Sequence, residues 1–150
     1  MTELVFVYGT LKVGFPNFHI NSGTRVPGEF VTEETFPLYL IGPTWVPWLV
    51  NEPGAGHPVV GQVFEVDEYT LAQMDVLEQV DEPLWYSRGR ITVCAVHEAQ
   101  GAHEGHEKQG PSHLMDVWVY FGSAERLRSE FIHAGPLKAY TQAHALSYRP

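Results

Sequence analysis

A carboxylate in an apolar setting is the first feature of this chain that points to chemistry. In the segment from Leu71 to Glu78, Leu71, Met74 and Glu78 stand at i, i+3 and i+7, positions that share one face of a helix. Asp75 and Gln79 are placed to face solvent, so Glu78 is the acid that breaks the amphipathic pattern. A carboxyl buried among apolar groups avoids the cost of an unpaired charge by raising its pKa toward neutrality, where it both accepts and donates protons. A second reading stands beside this one: a helix-end glutamate that reaches solvent, or that pairs with Arg88 or Arg90.

The run Val7-Tyr8-Gly9-Thr10-Leu11-Lys12 offers the complementary chemistry. Its glycine directly follows an apolar stretch, where the backbone takes conformations closed to other residues and a ligand can approach closely. Amides released there from a strand ladder form a nest for a carboxylate or for the oxyanion that develops on an acyl carbon. An ordinary strand-ending turn accounts for the same residues. Neither G-x-G-x-x-G nor G-x-x-x-x-G-K-[ST] is present, so nucleotide binding is not expected.

Other reactive residues fit less well. His103, His106 and His113 lie in the segment 97–113, HEAQGAHEGHEKQGPSH, whose spacing suits zinc poorly and whose composition reads as an exposed loop. No metal and no cofactor is expected. Cys94 sits inside Ile91-Thr92-Val93-Cys94-Ala95-Val96, where a buried, inert thiol is the expectation. Thr10 has no histidine base near it in sequence, so its hydroxyl is assigned to orientation and not to attack.

Elements must exist to position these groups. Short runs rich in Val, Ile, Phe and Tyr recur at Leu4 to Tyr8, Val26 to Val31, Val59 to Val66, Ile91 to Val96 and Met115 to Phe121, each reading as a strand. Leu4 to Tyr8 is apolar at nearly every position, which predicts a strand buried on both faces. One helix follows Asp67, a suitable N-cap, and ends near Val80, before Pro83. A second follows Ser123, with Leu127 and Phe131 at i, i+4. Many strands with few, separated helices predict an α+β or closed-barrel domain and not a repeating βαβ sheet.

Composition sets the outer bounds. The 150 residues are 44% hydrophobic with no dividing linker, which predicts one domain over 1–150. The formal charge is −9 and the nine Lys and Arg residues are scattered, so neither nucleic acid nor an anionic membrane is expected as a partner. A single cysteine makes no internal disulfide, and the N-terminal apolar run is too short for a signal or a membrane span, so a cytoplasmic location is expected.

Taken together these segments resemble the γ-glutamylcyclotransferase-like, or AIG2-like, superfamily. The resemblance extends to its γ-glutamylamine branch through Val5 to Lys12, Pro16-Asn17, Pro47-Trp48-Leu49, Gly61 to Asp67, Asp75-Val76-Leu77-Glu78 and Tyr86-Ser87-Arg88. Val117 to Tyr120 and the tail Leu146 to Pro150 fit more loosely, and Val13 replaces a residue that is often basic. The resemblance implies a small mixed β-barrel flanked by a few helices. It also implies cyclisation of a small γ-glutamyl substrate to 5-oxoproline with release of an amine, for example lysine from γ-glutamyl-ε-lysine. Carried onto this chain, the substrate loop falls on Tyr8, Gly9, Thr10 and Leu11, and the acid-base residue on Glu78. Trp48 and Tyr120 are read either as aromatic walls of the pocket or as simple core packing, and Tyr86 and Arg88 either order the Glu78 segment, pair with a substrate carboxylate or form a structural salt bridge. The alternatives are a cyclotransferase for γ-glutamyl α-amino acids and a non-catalytic member that binds a small carboxylate.

Overall fold

In the computed structural model, which describes residues 2–80, 82–96 and 114–149, the strand β1 (Thr2–Val7) organises everything else. Side chains alternate across a strand, and here both sides are buried. Phe6 and then Tyr8 enter one apolar cluster with Val63, Val93, Val117 and Val119. Val5 and Val7 enter a second with Phe64, Leu71 and Met74. The expectation of a strand enclosed on both faces is met.

The main sheet also contains β2 (Thr24–Arg25), β3 (Phe30–Thr32), β6 (Val60–Asp67), β7 (Tyr86–Ala95) and β8 (Met115–Gly122), in the order β1-β8-β7-β3-β6-β2. A further antiparallel pairing of β1 with β6, from Thr2↔Asp67 to Val7↔Gln62, brings the sheet round upon itself. The fold is therefore α+β, a large curled sheet with few helices. The predicted strand at Val26 to Val31 is interrupted: Gly28 turns the chain at φ 97°, so Val26 donates to Val63 O at 2.8 Å on one side of the turn and β3 begins at Phe30 on the other. A second sheet, not foreseen, has the order β5-β4-β9, from β4 (Leu38–Ile41), β5 (Val46–Leu49) and β9 (Ile132–Ala134).

Helix α1 (Glu68–Leu77) begins as expected, with Asp67 accepting from the Thr70 amide at 2.7 Å. Leu71 and Met74 are buried against the outer face of the sheet. Each side chain removed from water in this way contributes about 1.5–3 kcal/mol. The helix stops earlier than predicted: Glu78 is the C-cap and Gln79 is left-handed at φ 56°. Two bonds close the end, Gln79 N–H to Val76 O at 3.1 Å and Val80 N–H to Asp75 O at 3.2 Å, the pattern of a Schellman motif, in which the left-handed residue is usually glycine. Gln79→Gly is expected to raise Tm by about 3 °C, from roughly 1 kcal/mol of relieved backbone strain, as read by thermal melting.

After Ser123, whose hydroxyl accepts from the Glu125 and Arg126 amides, comes α2 (Ala124–Ser129). Phe131, expected on its apolar side, lies beyond the helix and is exposed. A short α3 (Gln142–Ala145) precedes the C-terminal residues. Among the described residues no helix is long and apolar enough to cross a membrane. The segment 97–113 lies outside the described residues.

Candidate active site

One cavity of about 290 Å³ receives the end of α1 and the loop after β1. Leu77, Glu78 and Gln79 line it from the helix, and Tyr8 through Leu11 from the loop. The two segments that carried the chemistry in sequence thus meet in space. Pro47 of β5, Trp85 and Tyr86 before and in β7, and Tyr120 of β8 complete the inner wall. Thr44, Tyr148 and Arg149 also border it.

Glu78 reaches the cavity because Leu71 and Met74 anchor the preceding turns and the helix ends at its own position. The residue is half-buried, with the cavity on one side. Its carboxyl is nevertheless enclosed deeply enough that burial pushes it up to about 8. The alternative pairing with Arg88 is not made: Arg88 Nε instead lies 2.9 Å from Asp75 Oδ1. Among the described residues no hydrogen bond or ion pair engages the Glu78 carboxyl. Desolvation alone sets its proton affinity.

Asp75 is a correction to the sequence reading. It does not simply face solvent: the same Oδ1 accepts from the Tyr120 hydroxyl at 2.6 Å. Position 75 flanks the buried face of α1, and strands β7 and β8 bring Arg88 and Tyr120 to that flank.

The loop turns its carbonyls inward on itself. Gly9 O accepts from Lys12 N–H at 3.2 Å, Thr10 O from Asn17 N–H at 2.8 Å, and Leu11 O from Asn21 Nδ2 at 3.1 Å. The amides of Gly9, Thr10 and Leu11 donate to no backbone acceptor among the described residues. Buried backbone donors are nearly always satisfied, so three open ones beside a cavity are able to receive an anionic or developing-anionic atom. The Thr10 hydroxyl accepts from Asn17 Nδ2 at 2.9 Å, which ties it into the loop. Gly9 is required by close approach: a Cβ there would sit 2.8 Å from Pro47 Cγ. Gly9→Ala is expected to lose about 1–3 kcal/mol of stability and to raise KM as the loop moves off β5. Thermal melting and steady-state kinetics check both.

Tyr8, Tyr86 and Tyr120 share the cavity with the acid. Tyr8 donates to Tyr120 O at 2.6 Å, and Tyr86 donates to Pro47 O. Burial raises all three pKa values, and the nearby Glu78 charge raises them further.

Trp48 does not line the cavity. It is fully buried behind the wall, with Nε1 donating to Ser123 O at 2.8 Å and its ring 4.5 Å from that of Tyr86. These contacts hold Trp48 in the core, the second of its two readings, and Trp85 supplies the indole wall. The participation of Tyr148 and Arg149 was also missed. The Tyr148 hydroxyl meets Asn17 Nδ2 at 3.2 Å and Arg149 N–H meets Thr44 O at 2.9 Å, contacts between distant parts of the chain that no local pattern announces. Burial raises the Cys94 pKa, away from nucleophilic reactivity. Among the described residues no group of three or more His, Cys, Asp or Glu is placed to hold a metal ion; His103, His106 and His113 lie outside them.

The cavity brings together a carboxyl pushed up to about 8 and loop amides without backbone acceptors, a combination suited to acyl transfer. The chain belongs to the family described as "Gamma-glutamyl cyclotransferase, AIG2-like", which matches residues 5–139. It is 35% identical over 153 residues to the gamma-glutamylaminecyclotransferase of Rattus norvegicus, covering 97% of this chain and 95% of that one. The Homo sapiens gamma-glutamylaminecyclotransferase is 39% identical over 109 residues, 67% of this chain and 69% of its own length. The crystal structure of an AIG2-like protein from Mus musculus superposes with a TM-score of 0.74 at 30% identity, covering 99% of this chain and 96% of that one.

Proposed function

We propose that residues 1–150 act as one cytoplasmic domain that cyclises a small γ-glutamylamine to 5-oxoproline and a free amine, with Glu78 as the acid-base residue. The observation that carries this reading is the meeting in one cavity of a carboxyl pushed up to about 8 and the open amides of Gly9 to Leu11. The mammalian relatives' name supplies the choice of an amine as leaving group.

The substrate brings its own nucleophile. Its α-amino group titrates near about 8 and must lose a proton to attack. Glu78, as carboxylate, takes that proton. The amine nitrogen then bonds to the γ-carbon, closing a five-membered ring, while the carbonyl electrons move onto oxygen and are met by the loop amides. When the oxyanion collapses, the bond from the γ-carbon to the departing nitrogen breaks and Glu78 returns its proton to that nitrogen; the ring nitrogen, left cationic by its attack, sheds a second proton through the freed carboxylate to the same amine, which departs as ammonium. No water is consumed. Tyr8, Thr10 and the ring of Tyr120 shape the cavity around the folded substrate and keep bulk water from the acid.

The test is incubation of the purified protein with γ-glutamyl-ε-lysine, which is expected to yield 5-oxoproline and lysine in equal amounts. A parallel series of γ-glutamyl α-amino acids measures leaving-group preference. Absence of 5-oxoproline from every member, together with a ligand-induced rise in Tm, would instead identify a carboxylate-binding protein without catalysis.

A further inference from the structure

We propose that the Tyr120 hydroxyl is a dedicated acceptor for the substrate's α-ammonium, and that Asp75, held by Arg88, is the positioning residue that makes it one. This rests on the cyclisation reading above, which requires an amine to be held beside Glu78. The argument follows one proton. A phenolic hydroxyl has a single hydrogen to donate, an ionised carboxylate only accepts, and a guanidinium only donates. Asp75 Oδ1 receives Arg88 Nε at 2.9 Å and the Tyr120 hydroxyl at 2.6 Å. The proton between Asp75 and Tyr120 therefore belongs to Tyr120 and points away from the ligand. With Tyr120 lining the cavity and Asp75 outside its lining, the function left to the hydroxyl there is that of a lone-pair acceptor.

Arg88 keeps this arrangement in one orientation. Its guanidinium is clamped between the Asp75 carboxylate and the Trp118 ring, 4.6 Å from the centroid. Such stacking restricts the side chain while leaving its donor edge free for Asp75.

The same polarity recurs around the acid. The Tyr8 proton is committed to Tyr120 O and the Tyr86 proton to Pro47 O, so none of the three tyrosines has a hydrogen left for the ligand. On the loop side the N–H groups of Gly9 to Leu11 are uncommitted, while the carbonyls of the same residues each already accept a bond. One side of the cavity thus accepts and the other donates. A group carrying a cation close to an anion or carbonyl fits that division, and the amino-acid end of a γ-glutamyl compound is such a group. Tyr120 keeps hold of the nitrogen through a remaining N–H after Glu78 has removed one proton.

The test compares L-glutamate with glutarate, which differ by the α-amino group, as calorimetric ligands of the full chain. The native protein is expected to prefer L-glutamate. Tyr120→Phe removes the acceptor, and a lost hydrogen bond to a charged group should weaken L-glutamate roughly tenfold or more with glutarate unchanged. Asp75→Asn keeps the shape but lets an amide donate to the Tyr120 oxygen, so it should produce the same selective loss. The double variant should be no worse than Tyr120→Phe alone, since both changes remove one interaction. A native protein without preference for the amine-bearing ligand, equal losses for both ligands, or additive losses in the double variant would each overturn the proposal. Preference for L-glutamate without production of 5-oxoproline would remove the cyclisation and leave the ammonium site standing.

Discussion

Glu78→Gln is expected to fold normally and to lose about 10²- to 10⁴-fold in kcat, the range contributed by one positioned acid-base group. The amide fills the same space at the end of α1 and can neither take the ammonium proton nor return it to the departing nitrogen. The pH dependence separates this from a loss of binding. In the native protein kcat/KM reports the free enzyme and free substrate, so its acidic limb should be centred near the value to which burial pushes Glu78, about 8. Above that, the profile should turn over as the substrate's own ammonium, titrating at about 8, disappears. Residual activity in Glu78→Gln should lack the acidic limb. A variant that folds and retains the native rate and profile would take Glu78 out of the mechanism.

What made the acid legible was period. Leu71, Met74 and Glu78 recur at helical spacing, so sequence alone places all three on one side, and Asp67 marks the start of the helix by its capping oxygen. The chain-end geometry was less visible, since Gln79 takes a left-handed conformation more typical of glycine. Asp75 shows where local pattern stops: its partners Arg88 and Tyr120 come from β7 and β8 and are known only after the sheet has formed. The strands β4 and β5 escaped notice because Pro37, Pro43 and Pro47 interrupt them or bound them, and proline ordinarily argues against a strand. Trp48, for which the sequence leaves pocket wall and core both open, packs in the core, and its partners Ser123 and Tyr86 are distant in sequence and known only once the sheets have formed.

The second large effect of Glu78→Gln is on stability, and it runs in the opposite direction from the loss of rate. In the folded protein the carboxyl is held at about 8, against a value of 4.5 without burial. Below pH 4 both states carry the proton and the group contributes nothing to the pH dependence. Between those two values the unfolded chain releases its proton while the folded protein keeps it, so the folded state binds more protons and its stability falls as pH rises. Above about 8 both are ionised, and the native protein carries the full cost of an enclosed charge, roughly 3–5 kcal/mol. Glutamine has no such charge. Urea melts of the two proteins should therefore diverge from near coincidence at pH 4 to a gap of that size at pH 8.5, with Glu78→Gln the more stable. His144, whose pKa is lowered by burial and by the Lys12 charge, gives a slope of the opposite sign near neutrality. It is present in both proteins and cancels in their difference. A gap that stays constant with pH would mean that the carboxyl is hydrated in the folded state, and the poise that lets one residue serve as base and then acid would be lost with it.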